Sequence, residues 1–185
     1  MESQAIYMQL TALKVSQMLK VLTNIGVALS AEKDHARLLE KILENALAIT
    51  DADGGTIYTC TDQNSLQFDI LINRSLDLHI GGTSPIKPKF PDLPLYDEQG
   101  KPNFHMLAPS AAVTRKTIHI QNAYRNRRYD LSGTKLFDKT LGYHSQSFFT
   151  VPMTNHLNEV IGVLQLINAQ DPKTKKIIAF SKLKR

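Results

Sequence analysis

The chain has 185 residues, of which 42% are hydrophobic and 21% charged. This balance excludes wholesale disorder and suits one domain of ordinary size with appended helices. The formal charge of +5 comes from 22 Lys and Arg against 17 Asp and Glu. Lys173, Lys175, Lys176, Lys182, Lys184 and Arg185 stand together without an acid, and removing these six leaves residues 1–172 at 16 against 17, a net −1. Apart from the small cluster Arg125, Arg127 and Arg128, the body lacks the basic stripe of a nucleic-acid-binding domain. No apolar run approaches the ~20 residues of a membrane span. The single Cys60 excludes an internal disulfide and a CxxC zinc site. Together with an N-terminus (Met1 to Ala5) that has no basic stretch or apolar signal core, it predicts a cytoplasmic protein.

In chain order, residues 5–29 read as a helix. Met8, Ala12, Val15, Leu19 and Leu22 follow heptad spacing, with Ile6, Leu10 and Leu13 as a second, shorter stripe. Two stripes suit a helix that touches both its own domain and a partner helix, and a single amphipathic core helix is the alternative. Residues 31–50 form a second helix with Leu38, Leu39, Ile42, Leu43, Ala46 and Ile49 on its apolar face and Ser30 as N-cap. Asp51-Ala52-Asp53-Gly54-Gly55 reads as the turn that stops it. Strands follow at Thr56–Cys60 and Leu66–Ile72 around the turn Thr61–Ser65. Residues 81–103 hold Pro85, Pro88, Pro91, Pro94 and Pro102, five of the eight prolines, and read as a long irregular cover. Then come a short helix (Ser110–Lys116), a short strand (Ile118–Ile120), weak helix potential at Lys135–Thr140 and a strand at Ser147–Met153. The turn Asn155–Asn158 leads into Val160–Ile167, whose continuous hydrophobicity implies burial on both faces. A basic helical segment is expected from residue 173. The order predicts an α+β domain with an antiparallel sheet, helices on one face and the irregular middle over the other, leaving a concave site between. The domain organisation expected is a signalling or dimerisation helix over 1–29, a ligand-binding domain over 30–172, and the start of a linker helix over 173–185.

Four segments carry a resemblance. They are Thr114–Tyr124 (TRKTIHIQNAY), Phe137–Tyr143 (FDKTLGY), Ser147–Met153 (SFFTVPM) and Val160–Asn168 (VIGVLQLIN). In this order, over roughly residues 20–172, the chain resembles a GAF domain, the small-ligand sensory module of cyclic-nucleotide phosphodiesterases, cyclases and many bacterial signalling proteins. The proline-rich insertion and Tyr96–Pro102 resemble bacterial members that precede HD-type phosphohydrolase or nucleotide-cyclase domains. The resemblance implies a six-stranded antiparallel, profilin-like sheet with helices on one face. It also implies a ligand pocket roofed by loops and short helices on the other, a homodimer through the terminal helices, and an output domain outside this chain.

It further implies a non-catalytic role, with a cyclic nucleotide or related small molecule as ligand and no metal. The implied contacts are backbone donors at Leu107 and Ala108, a helix N-terminus where Pro109 removes one donor. Tyr129 would stack on a planar ring, Asp138, Thr140 and Ser145 would bond its polar edge, and Gln165, Thr56 and Asn73 would point in from the strands. For Thr56, Asn73, Asp138, Thr140 and Ser145 the alternative is that they only satisfy loop backbone. The chain departs from the nucleotide-binding pattern. Asn168 and Phe180 are present, but Ala169 stands where those members carry Lys, and Lys184-Arg185 where they carry acids. One cysteine is too few for the family's redox variant. The six histidines form no HExxH or HD motif, which argues against metal-assisted hydrolysis. A ligand-free dimerisation module is the alternative, and a small-molecule enzyme the third reading.

Overall fold

The computed structural model describes residues 32–171, 174 and 176–180. The expected helix over 5–29, its heptad stripes and the Ser30 cap lie outside these residues. The first described helix, α1, spans His35–Thr50 and is capped by Asp34, whose side chain accepts from the Arg37 amide. Leu39, Leu43 and Leu47 recur every four residues, so one stripe is buried, while Ile49 falls off it and is exposed.

An antiparallel sheet forms the floor on which everything else packs. Its strands are β1 (Ala52–Cys60), β2 (Ser65–Asn73), β3 (Leu78–Gly81), β5 (Ile118–Ile120), β6 (Phe148–Thr154) and β7 (Val160–Gln170), in the order β3-β2-β1-β7-β6-β5. Two two-residue strands add to the six expected. They are β4 (Leu93–Pro94), which pairs with β2, and β8 (Ile177–Ile178), which pairs with β7. The helix expected from residue 173 is thus replaced at 177–178 by a strand. The two ladder pairs Ala169–Ile178 and Gln170–Ile177 give this isoleucine pair a sheet partner that basic periodicity does not register.

Asp51 to Gly55 is not the full stop it reads as. Only Asp51 takes the left-handed cap conformation, and β1 starts at Ala52. Glycine enters the strand there because α1 lies close. A Cβ on Gly55 would stand 2.9 Å from Leu43 Cδ1 and 3.0 Å from the Gln165 carbonyl oxygen.

The two faces are assigned by register. On the α1 face Ile57, Ile70, Leu166 and Ala169 join Leu39, Leu43 and Leu47, with Phe149, Met153 and Leu164 packed around them. The opposite face carries Tyr58, Leu66 and Val163 under α2 (Leu107–Thr114), and Ile120 and Phe148 beside Leu107, Ala123, Tyr129 and Leu131. Leu66, Phe68, Ile70 and Ile72 alternate evenly in sequence, yet they divide between faces. The register slips by one between Ile57 and Tyr58, which leaves Asp69 as the extra residue of a β-bulge. After the bulge Leu71, not Ile70, shares the face of Phe68. In β7, Asn168 has φ of 54°, with the pairing to β1 in one register on either side of it. That face is completed by the short helix Ala123–Arg125, α3 (Ser132–Leu141) and the chain between β3 and α2.

Candidate functional site

Between that second face and its cover lies a cavity of about 390 Å³. This is at the lower end of the ~300–1,000 Å³ typical of small-molecule sites. Its floor is Thr56 and Tyr58 from β1, Phe68 and Leu71 from β2, Phe148 from β6, and Gln165 and Ile167 from β7. Phe90, Pro91 and Leu93 from the proline-rich stretch form one wall. The other walls are the first turn of α2 (Leu107 to Pro109), the first turn of α3 with Asp130 ahead of it, Phe137, and Ser145.

Polar groups are few on this floor. The Tyr58 phenol donates to Gln165 Oε1 at 3.0 Å. Burial pushes the Tyr58 pKa far above the ordinary tyrosine value and a side-chain hydrogen bond from Thr56 opposes this, so the phenol is neutral. Thr56 and Gln165 are register partners on adjacent strands. Gln165 is only 6% exposed, and among the described residues no group hydrogen-bonds its Nε2. Aromatic rings line one side: Tyr58 meets Phe68 edge-on at 4.5 Å, and Phe68 meets Phe90 at 4.8 Å.

The helix ends at the cavity differ. The first turn of α2 has no side-chain cap, so the Leu107 and Ala108 amides are left to the cavity, while Pro109 has none to give. In the first turn of α3 one amide is held. Asp130 accepts from the Ser132 amide at 2.9 Å, and that hydrogen bond leads the causes that hold its carboxyl below the usual range. Among the described residues, Asp130 and the neutral Tyr58 are the cavity's only titratable side chains, and no Lys, Arg or His lines it. A bare anion there would forfeit roughly several kcal/mol of hydration. A helix N-terminus returns about 0.3–1 kcal/mol.

Of the residues expected from sequence, Thr56, Leu107, Ala108, Ser145 and Gln165 meet at the cavity. The others stand elsewhere. Asp138 is buried and accepts from Tyr124 Oη at 2.7 Å, the Ser145 amide at 2.8 Å and Ser145 Oγ at 2.7 Å, and so shapes the wall from behind. Asn73 is buried and accepts from the Leu76 amide at 2.9 Å. Tyr129 is buried among Leu107, Ile120 and Phe148, with the Arg128 guanidinium 5.4 Å from its ring centroid. Thr140 is exposed on α3 and donates to the Leu136 carbonyl at 2.9 Å.

Asn168 is a clasp. Its Oδ1 accepts from the Gln146 and Ser147 amides at 2.7 and 3.1 Å, and its Nδ2 donates to the His144 carbonyl at 2.8 Å and Tyr143 Oη at 3.0 Å. Phe180 packs toward Phe149 on the α1 face. Neither lines the cavity. Sequence reasoning missed Tyr58, Phe68, Leu71, Phe90, Phe137, Phe148 and Ile167. Tyr58 was reachable, since i and i+2 in a strand share a face with Thr56. Leu71 was hidden by the bulge, and Phe90 sits in a loop with no period.

A family profile described as the GAF domain matches residues 34–182. The chain belongs to the GAF domain family. GAF domains are commonly regulatory or sensory modules and often sit in multidomain proteins that dimerise. The chain is 27% identical over 140 residues to a dual 3',5'-cyclic-AMP and -GMP phosphodiesterase 11A of Takifugu rubripes, covering 76% of this chain and 14% of that protein. Among solved structures it is similar to the GAF domain of an Acinetobacter phosphoenolpyruvate-protein phosphotransferase. That match has a TM-score of 0.59 at 16% identity and covers 90% of this chain and 82% of the other. It is also similar to the free methionine-R-sulfoxide reductase of Neisseria meningitidis, solved with its substrate, with a TM-score of 0.55 at 13% identity over 83% of this chain and 74% of that one. Identities this low speak to the fold alone. Among the described residues no helix is long and apolar enough to cross a membrane.

Proposed function

We propose that this GAF domain is a non-catalytic sensor that holds a small molecule in the cavity and passes its occupancy to an output domain beyond this chain. The observation that carries the reading is the cavity itself. It is framed by apolar and aromatic side chains, and Gln165 on its floor, a buried residue, has no hydrogen bond to its Nε2 among the described residues. A donor turned toward the cavity in this way can be met by an acceptor on a small molecule.

The route outward is covalent and short. Ser145 lines the cavity, the next two amides are held by Asn168, and Gln170 at the end of β7 donates to Asp53 at 2.6 Å. Tyr143 also donates to Asp53. Filling the cavity bears on Ser145, and the 143–147 segment is fastened to the end of the strand that leads into residues 173–185. A homodimer seam formed by residues 5–29 and 173–185 would receive the shift as a change of population between two packings.

A cyclic nucleotide is one candidate ligand, supported by the likeness to the Takifugu rubripes phosphodiesterase. Following thermal stability with cyclic mononucleotides at millimolar concentration tests it. Binding to the native state raises the melting temperature by mass action, and a flat response across all of them rejects the nucleotide version. The reading as a redox enzyme has little support. Cys60 is half-buried at the end of β1, outside the cavity lining, and burial pushes its thiol pKa up, away from the reactive thiolate.

A further inference from the structure

We propose that the cavity's ligand is an uncharged, planar aromatic molecule that offers a hydrogen-bond acceptor to the Gln165 amide. The inference rests on the sensor reading and narrows it to a chemical class that leaves out the anionic cyclic nucleotides. It starts from direction. Tyr58 donates to Gln165 Oε1, so the carbonyl end of the amide is already engaged and the NH₂ end remains. That end belongs to a side chain more than nine-tenths buried, on the strand face that floors the cavity. A buried amide donor calls for an acceptor: a carbonyl, an ether or a ring nitrogen.

Charge is decided by what surrounds the floor. Among the described residues no cationic side chain lines the cavity. Lys135 and His105 act on Asp130 from outside, and Lys135 leans over the Tyr124 ring at 5.8 Å. Of the two helix N-termini that face the space, one gives its Ser132 amide to Asp130 and the other is short of a donor at Pro109. An anion would meet a carboxylate at the mouth and uncompensated burial inside. A cation has only the exposed Asp130, where solvent screens the attraction. The neutral form is what remains. Shape follows from Phe68 and Phe90 on one side and Phe137 and Phe148 on the others, an aromatic lining that suits a flat guest.

Benzamide and benzoate make the test, because they share shape and differ in charge and in the acceptor's partner. Each is titrated into the dialysed wild-type chain while amide NMR shifts are followed. Benzamide is expected to shift resonances of cavity residues and to bind at least about tenfold more tightly than benzoate, a gap of about 1.4 kcal/mol. In Gln165→Leu the benzamide affinity falls at least about fivefold while toluene, which has no acceptor, binds as to wild type. Benzoate binding as tightly as benzamide overturns the inference and leaves the sensor reading standing. Failure of both probes to shift cavity resonances overturns it too, and native mass spectrometry then decides separately whether any small molecule is carried. The comparison on wild-type protein needs no variant to fold.

Discussion

Asp138 offers the sharpest test of the wall behind the cavity. In Asp138→Ala three hydrogen bonds disappear, to Tyr124 Oη, the Ser145 amide and Ser145 Oγ. Their losses are unequal. Tyr124 is 42% exposed and its hydroxyl finds water, so its share is small. The Ser145 amide is buried and cannot, so it carries the full penalty of an unmet donor, ~1–3 kcal/mol. The Ser145 hydroxyl rotates in search of another acceptor and adds about 1 kcal/mol. The sum is roughly 2–4 kcal/mol, which for a domain of this size lowers Tm by about 5–15 °C. Asp138→Asn keeps one acceptor oxygen for Ser145 and loses roughly half as much. Differential scanning calorimetry on the three proteins reads both numbers. Asp138→Ala melting within about 2 °C of wild type would refute the reasoning, since a buried donor cannot be orphaned for so little.

Thr150 predicts the opposite sign. Its Oγ1 is buried without a partner, so Thr150→Val, nearly isosteric, should be neutral or raise stability by up to about 1–2 kcal/mol in a urea titration. Gly162→Ala should destabilise by about 2 kcal/mol or more, because its Cβ would stand beside the Tyr58 carbonyl and Met153 Cε, the latter at 2.8 Å. An unchanged urea midpoint would contradict the β1–β7 register. The Tyr124 phenol is pushed up to about 12, first by its hydrogen bond to Asp138, then by desolvation and by the carboxylate's charge. Its neutral form is the one stabilised, so its contribution is complete below about pH 10 and is lost as pH rises toward 12. An ultraviolet titration should show one tyrosine ionising earlier in Asp138→Asn than in wild type. Glu40 works in acid. Burial raises its pKa, but hydrogen bonds from Thr83 and the charges of His79 and Arg37 outweigh it and leave the pKa below the ordinary 4.5. The Glu40 contribution is therefore present above pH 4.5 and lost as pH falls through its depressed value, and Glu40→Gln should flatten that acid limb.

The parts of the fold set by local pattern were legible. The apolar stripe of α1, the β-rich run Thr56–Cys60, the alternation of β2, and the continuous apolar run of β7 each announce their element. What escaped depended on contacts distant in sequence. β3, β4 and β8 are short and owe their existence to ladder partners on β2 and β7. The bulge at Asp69 is invisible in a sequence that alternates evenly through it, and it decides that Leu71 enters the cavity. The site was half legible for the same reason. Gln165, a contact the family resemblance implies, is the one polar residue inside the apolar run Val160–Ile167. Asp138 and Asn73 looked equally polar, but only the structure shows that their oxygens are spent on Ser145 and Leu76.

Native mass spectrometry of freshly purified protein, run beside Leu71→Trp, tests the central claim most directly. Leu71 lines the cavity, and an indole in its place occupies the space a guest would fill. The account predicts a wild-type mass exceeding the chain by that of one small molecule, or such an adduct on addition of a neutral aromatic, absent from the variant. A wild-type protein that carries and accepts nothing, or a variant that retains the same adduct, would contradict it.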